Sequence, residues 1–134
     1  MGSLLLGKTD FINKSRRYRK VFGGGMRQAG SLAAAGLYAL ENNVNRLVID
    51  HQHAQAIASA LKEKSFVAEI LPVETNIVIA ECTPDFNMQG FIAQMKEKGI
   101  LFFAVSPARF RMVTHLDVSP EMIQYTIETL KKFA

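Results

Sequence analysis

The segment Gly23-Gly24-Gly25-Met26-Arg27-Gln28 lies between a basic run at residues 16–20 and a long alanine-rich apolar stretch. Three consecutive glycines allow positive φ angles and close backbone approach, so N–H groups can converge just before a helix N-terminus, which favours anions. Arg27 would then stand at the mouth of an anion-binding turn. The alternative is that the glycines only end one helix and admit the next. Spacing alone leaves both alternatives open.

The basic residues of the chain are concentrated around this segment. Residues 1–30 carry seven basic side chains and one acid, a net charge of +6, whereas the remaining residues carry nine basic and eleven acidic side chains, a net charge of −2. A local basic patch suits a phosphate, a carboxylate or a nucleic acid. We expect no nucleic-acid partner, because helical spacing spreads the charges of residues 16–20 around the axis and only Tyr18 is available there for stacking.

Length and composition predict one folded domain. The chain has 134 residues, of which 49% are hydrophobic, enough for a single core. The longest apolar runs, residues 32–40 and 100–105, are shorter than the ~18 residues of a membrane span, and no cleavable signal pattern is present. We therefore expect a cytoplasmic protein without a membrane partner. Cys82 is the single cysteine, cannot form an internal disulfide and is expected as a buried strand residue.

Hydrophobic periodicity and turn residues predict an α+β fold. Two long helices are followed by a small β-β-α-β-β-α layer domain, in which helices cover one face of a mostly antiparallel sheet. Residues 1–30 are predicted to form a basic N-terminal arm, and residues 31–134 the small domain. The predicted helices are 10–20, 28–42, 45–64, 87–98 and one that begins at Ser119, and the predicted strands are 66–71, 76–81, 101–105 and 110–115.

A further strand is predicted at Gly2-Ser3-Leu4-Leu5-Leu6-Gly7, because this apolar run is too short for a helix. A strand this apolar requires neighbours on both faces. We therefore expect that its sheet lies elsewhere and that the chain is part of a larger protein.

Arg109 and Arg111 are the first candidate binding residues outside the glycine segment. They alternate with Phe110 and Met112 in a predicted strand, so both arginines lie on one side of the sheet. The planar guanidinium pairs bidentately with a carboxylate or phosphate. A solvated face or a structural salt bridge is the alternative.

Three other polar residues are weaker candidates for chemistry. His115 and Asp117 could form a proton-handling pair, yet both lie at a strand-to-helix corner, where polar groups commonly satisfy turn amides. His51 falls on the apolar stripe of a predicted helix and is expected to be a packing residue. The sequence contains no pattern typical of a metal cluster, of the phosphate loop of nucleotide hydrolases, or of a serine or cysteine triad.

Six segments in this order carry a resemblance to a known family: residues 2–7, residues 16–20, residues 23–30, Asp50-His51, Thr75-Asn76-Ile77-Val78 and Arg111-Met112-Val113-Thr114-His115-Leu116-Asp117-Val118. Together they resemble the C-terminal part of the low-specificity L-threonine aldolases, fold type I enzymes that depend on pyridoxal 5′-phosphate (PLP). The resemblance spans nearly the whole chain. It implies that the small α+β domain is the C-terminal small domain of such an enzyme.

The resemblance also implies roles for individual residues. Lys20 and Arg27 match the cations on the cofactor phosphate side, which reach the active site of a neighbouring subunit in a homo-oligomer, a dimer or tetramer. Arg111 matches the arginine that binds the substrate carboxylate, with Arg109 as the alternative. The family's Schiff-base lysine precedes the segment that matches Gly2-Ser3-Leu4, so no catalytic residue is expected in this chain, which would be inactive alone and hold no covalently bound PLP.

The implied reaction is the cleavage of a small-molecule amino acid, threonine or allo-threonine, to glycine and acetaldehyde. PLP is the cofactor implied for the complete enzyme. Two alternatives stay open at this point. One is a non-catalytic anion-binding or assembly module built on residues 23–27, and the other is a different PLP reaction, β-elimination or transamination.

Overall fold

The computed structural model describes residues 4–133, and the chain divides into two compact units between Val44 and Asn45. The first unit contains helices α1 (Thr9–Val21) and α2 (Gly30–Asn42). The second contains helices α3 (Leu47–Lys62), α4 (Met88–Glu97) and α5 (Pro120–Lys132), and strands β1 (Val67–Ile70), β2 (Ile77–Cys82), β3 (Phe103–Ala104) and β4 (Arg109–Val113). The predicted domain boundary at residue 30 stays a prediction.

The first unit consists of its two helices and their flanking segments. Neither helix contains a buried residue. The strand predicted at residues 2–7 is wrong for residues 4–7, which form no strand, and residues 2 and 3 lie outside the described residues. A strand needs hydrogen-bonded neighbours, and all four strands of the described sheet come from residues 67–113.

The second unit confirms the predicted α+β fold and its β-β-α-β-β-α order. Its sheet has the strand order β1-β2-β4-β3, and every neighbouring pair is antiparallel. Gly99 ends α4 as predicted, with a φ of +78° and with the Ile100 amide donating to the Met95 carbonyl at 2.9 Å. Strand β3 is shorter than predicted, because only Phe103 and Ala104 pair with β4.

The core lies on one face of the sheet. Residues on alternate positions of β2 and β4 are buried there, together with the inner faces of α3, α4 and α5: Val78, Ala80, Cys82, Phe110, Met112, Ala54, Leu61, Phe91, Met95, Ile123 and Leu130. Five phenylalanines pack around Phe91, and the rings of Phe66 and Phe86 stack with centroids 4.1 Å apart. The opposite side carries Ile77, Ile79, Phe103, Arg109, Arg111 and Val113, and we call it the open face of the sheet.

Helix α5 begins as its sequence predicts. The Ser119 hydroxyl accepts a hydrogen bond from the Met122 amide at 3.3 Å, and Pro120 occupies the first helical position. At the other end, the Lys64 ammonium donates to the carbonyls of Lys131 and Phe133 at 2.9 and 2.7 Å. Both ends of α5 are thus capped by side chains, which holds its buried face on the core.

We predict that Phe91→Ala lowers the free energy of unfolding by about 3–5 kcal/mol, because the ring is 1% exposed at the centre of the aromatic cluster. Urea denaturation followed by circular dichroism measures the change. The matched control is Phe103→Ala on the open face, where the side chain is 71% exposed and the expected change is within about 0.5 kcal/mol. Equal losses in the two variants would contradict this position of the core.

The carboxylate of Glu121 makes the stability of α5 depend on pH. Its pKa lies below the usual value of 4.5, first because the Ser119 hydroxyl hydrogen-bonds the carboxylate and second because a backbone N–H does so. A lowered folded-state pKa stabilises the fold above pH 4.5, and this contribution disappears as the pH falls through the folded-state pKa. We predict that Glu121→Gln is less stable than the parent at pH 7 and that this difference narrows as the pH is lowered toward 2.5. Glu74→Gln, in an exposed connector, is the control with the same charge change, and a pH-independent difference for Glu121→Gln would disprove the linkage.

Candidate functional site

Gly23 and Gly24 end helix α1. Gly23 has a φ of +81°, its amide donates to the Lys20 carbonyl at 3.2 Å, and the Gly24 amide donates to the Arg19 carbonyl at 2.7 Å. This pair of bonds is the Schellman arrangement, which satisfies two carbonyls of the last turn. A Cβ on Gly24 would lie 3.0 Å from the Arg19 carbonyl oxygen, so the close approach requires glycine. The helix-ending alternative therefore holds for the first two glycines.

The backbone amides that follow these two glycines differ from theirs in hydrogen bonding. Within residues 4–133, the amides of residues 25–29 donate to no protein acceptor, and Ala29 caps α2 without a side-chain hydrogen bond. Gln28 adopts a φ of +53°. The side chains of Lys20, in the last turn of α1, and of Arg27, in the turn between α1 and α2, are exposed. An ammonium, a guanidinium and unpaired amides are all hydrogen-bond donors. This donor set fits a phosphate such as that of PLP.

The two arginines of β4 have different partners. Both lie on the open face as predicted, but the Nε and Nη2 atoms of Arg109 each lie 2.6 Å from Oε2 of Glu81, the residue opposite it on β2. Arg111 makes no ion pair or side-chain hydrogen bond with any residue of the described chain. The salt-bridge alternative therefore holds for Arg109, whereas the guanidinium of Arg111 is available to a ligand.

Apolar side chains flank Arg111. Its direct partners across the sheet are Ile79 on β2 and Phe103 on β3. In an antiparallel sheet, directly opposite residues point to the same face and their Cβ atoms lie about 4.5–5.5 Å apart. The available cation is thus placed between an aliphatic and an aromatic side chain.

A buried hydrogen-bond network fixes the end of β4 next to this site. The Thr114 hydroxyl donates to the Asp50 carbonyl at 2.7 Å, and the Asn76 side-chain amide donates to the Thr114 carbonyl at 2.6 Å. The Asp50 carboxylate is itself held by a two-pronged pair with Arg46, at 2.9 and 3.0 Å. Sequence reasoning missed this network. The i,i+4 spacing of Arg46 and Asp50 was the one available signal.

The surroundings of the other polar candidates and of the cysteine favour structural roles over catalysis. The Asp117 amide donates to Nδ1 of His115 at 3.3 Å, and the Asp117 carboxylate is 88% exposed, so the pair satisfies a turn. His51 is half-buried on α3. Burial, and secondarily the charge of Glu81, raise the pKa of the Cys82 thiol, which therefore stays protonated and unreactive.

Residues 4–133 contain neither a cluster of metal-ligand side chains nor a helix suited to crossing a membrane. No group of three or more His, Cys, Asp or Glu side chains is arranged to hold a metal ion. No helix combines the length and the apolar character that a bilayer crossing requires.

We predict that phenylglyoxal modifies Arg111 about two- to fivefold faster than Arg109. The ion pair with Glu81 protects the Arg109 guanidinium, but only moderately because the pair is exposed. Peptide mass spectrometry after limited modification of the chain measures both rates. Glu81→Gln is the control, and it should raise the rate of Arg109 to that of Arg111 without changing the latter. Equal rates in the unsubstituted chain would show that the two arginines do not differ in availability.

The chain is similar in sequence to one protein family and to several curated proteins. Residues 1–83 match the family described as beta-eliminating lyase. The chain is 45% identical over 123 residues to the low specificity L-threonine aldolase of Escherichia coli (strain K12), an alignment that covers 92% of this chain and 35% of that protein. It is 34% identical over 135 residues to the probable low-specificity L-threonine aldolase 2 of Arabidopsis thaliana, with 98% of this chain and 38% of that protein covered.

These similarities confirm the resemblance inferred from the motifs, and they extend over most of the chain. The chain spans about a third of the length of the curated relatives it matches. Because the family match covers more than half of its residues, the chain belongs to the beta-eliminating lyase family.

Proposed function

We propose that this chain forms part of the active site of a PLP-dependent aldehyde-lyase that cleaves L-threonine or L-allo-threonine to glycine and acetaldehyde. The observation that carries the proposal is the guanidinium of Arg111, exposed on the open face and unpaired among the described residues, in a chain 45% identical to a protein named as a low specificity L-threonine aldolase. The substrate is then a small amino acid with a free carboxylate.

Arg111 binds that carboxylate through two parallel hydrogen bonds. A bidentate pair fixes both the position and the plane of the carboxylate, which a single lysine ammonium cannot do. Rotation of the amino acid about its own axis is thereby restricted. The bond between Cα and Cβ is held in one orientation, so that cleavage does not wait for a rare conformer.

Lys20 and Arg27 hold the phosphate of PLP, together with the unpaired amides of residues 25–29. PLP, when bound, supplies the electron sink that C–C cleavage next to an amino group requires. We assign these two cations to the active site of a neighbouring copy of the protein, so that the enzyme is a homo-oligomer. The support is their exposed position, Lys20 in the last turn of α1 and Arg27 between α1 and α2, on two helices without buried residues.

Kinetic measurements on the complete protein should distinguish the role of Arg111 in carboxylate binding from that of Arg27 in phosphate binding. Arg111→Gln is expected to lower kcat/KM for L-threonine about tenfold to a hundredfold, since it removes hydrogen bonds to a charged group. Arg27→Gln should instead raise the PLP concentration for half-maximal activity. Arg109→Gln is the matched control, with an expected change below about threefold because that guanidinium is paired with Glu81. Acetaldehyde release, coupled to NADH oxidation, measures each parameter.

A loss in Arg109→Gln larger than that in Arg111→Gln would overturn the assignment of the carboxylate site. No acetaldehyde from the unsubstituted protein with either threonine isomer would overturn the reaction itself.

A second candidate is β-elimination, which the description of the matched family favours. In that reaction the substituent on Cβ departs and the amino acid yields a 2-oxo acid and ammonia, whereas aldol cleavage yields glycine and an aldehyde. Product analysis with L-serine and L-threonine distinguishes the two. Pyruvate or 2-oxobutyrate without glycine would replace the aldolase proposal by the eliminating lyase.

A further inference from the structure

Phe103 is an exposed aromatic residue without a role in the core. Phe103 is 71% exposed, whereas the adjacent Phe102 is a core residue and is 6% exposed. The alternation along the chain directs Phe102 to the core and Phe103 to the open face. Exposure of a whole phenylalanine side chain on a two-residue edge strand contributes little to folding, so the ring is free to contact a ligand.

The register places this ring beside the candidate binding residue, because Phe103 pairs directly with Arg111. Ile79 occupies the equivalent position on the other side, and no acidic residue is a direct cross-strand partner of Arg111. The acid of the neighbouring strand, Glu81, lies two pairs along the sheet, the next position on the same face, and is bound to Arg109. The structure therefore provides a cation with an apolar residue on each side and no competing carboxylate.

We propose that Phe103 and Ile79 form an apolar wall around the carboxylate site, with Phe103 as a positioning and specificity-determining residue. This inference rests on the proposed function, which assigns the substrate carboxylate to Arg111. When a carboxylate binds Arg111, the two side chains displace water from the ion pair. Lower local polarity strengthens the attraction, and exclusion of solvent reduces its screening by salt.

The wall also selects among ligands. A carboxylate that carries an apolar substituent buries that substituent against the phenyl ring, whereas formate has no substituent to bury. Burial of a methyl group contributes about 0.8 kcal/mol, which corresponds to a factor of about four in affinity. The site therefore discriminates by the group attached to the carboxylate carbon as well as by charge.

The isolated chain tests the wall without any assay of catalysis. Phenylglyoxal modification of Arg111 is measured by peptide mass spectrometry in the presence of formate or isobutyrate, at constant ionic strength. Isobutyrate is expected to protect Arg111 at a concentration about fivefold lower than formate does. Phe103→Ser should reduce this difference to the part that Ile79 supplies, and Phe103→Leu should retain it. Because the ring is exposed, both variants fold, and their urea midpoints serve as a check.

Kinetic measurements on the complete protein provide a second test of the wall. Phe103→Ser is expected to raise KM for L-threonine about fivefold and to make it more sensitive to salt, with kcat within twofold. Phe103→Leu should restore KM. A merely structural role would instead change kcat and thermal stability together.

The outcomes separate the two proposals. Equal protection by formate and isobutyrate in the unsubstituted chain, or an unchanged preference in Phe103→Ser, overturns the wall even if the protein cleaves threonine. Absence of threonine cleavage overturns the proposed function, while a preference for isobutyrate that depends on Phe103 still supports the wall.

Discussion

The surroundings of Arg111 depend on the register of β4 between its two neighbouring strands. A shift of one residue would turn every side chain of β4 to the other face and would bury the guanidinium in the core. The end of the strand prevents this shift. The Thr114 amide donates to the Asn76 carbonyl at 3.0 Å, and the Asn76 side chain returns a bond to the Thr114 carbonyl at 2.6 Å. The hydroxyl of Thr114 then joins this junction to α3 through the Asp50 carbonyl.

The same register explains why two arginines of one strand have different surroundings. Arg109 meets an acid across the sheet, whereas Arg111 meets aliphatic and aromatic carbon. The Arg109 pair is exposed and contributes little to stability. Its larger effect is to occupy Glu81, the acid nearest along β2 to the position opposite Arg111. One structural ion pair thus leaves a second guanidinium without a partner among residues 4–133, which is what a carboxylate ligand requires.

Local sequence signals were sufficient for most of the fold but not for the site. The positive φ of Gly99 and the cap at Ser119 follow from residue type and nearby spacing, so both were predictable. The choice between Arg109 and Arg111 depends on which residues of β2 and β3 lie opposite, and pairing register is not written in one strand's own pattern. The strand expected at residues 4–7 failed for a related reason, because strand formation depends on a neighbour supplied by another segment.

The contacts among the described residues do not account for the stability of helices α1 and α2. Each has 13 residues and buries none of them. Helices of this length are marginal in water by propensity alone, and in folded proteins their stability comes mainly from packing of an apolar face. Leu32, Leu37 and Leu40 on α2 remain exposed. The turn that carries Arg27 is therefore attached to helices that gain order when their apolar sides are covered.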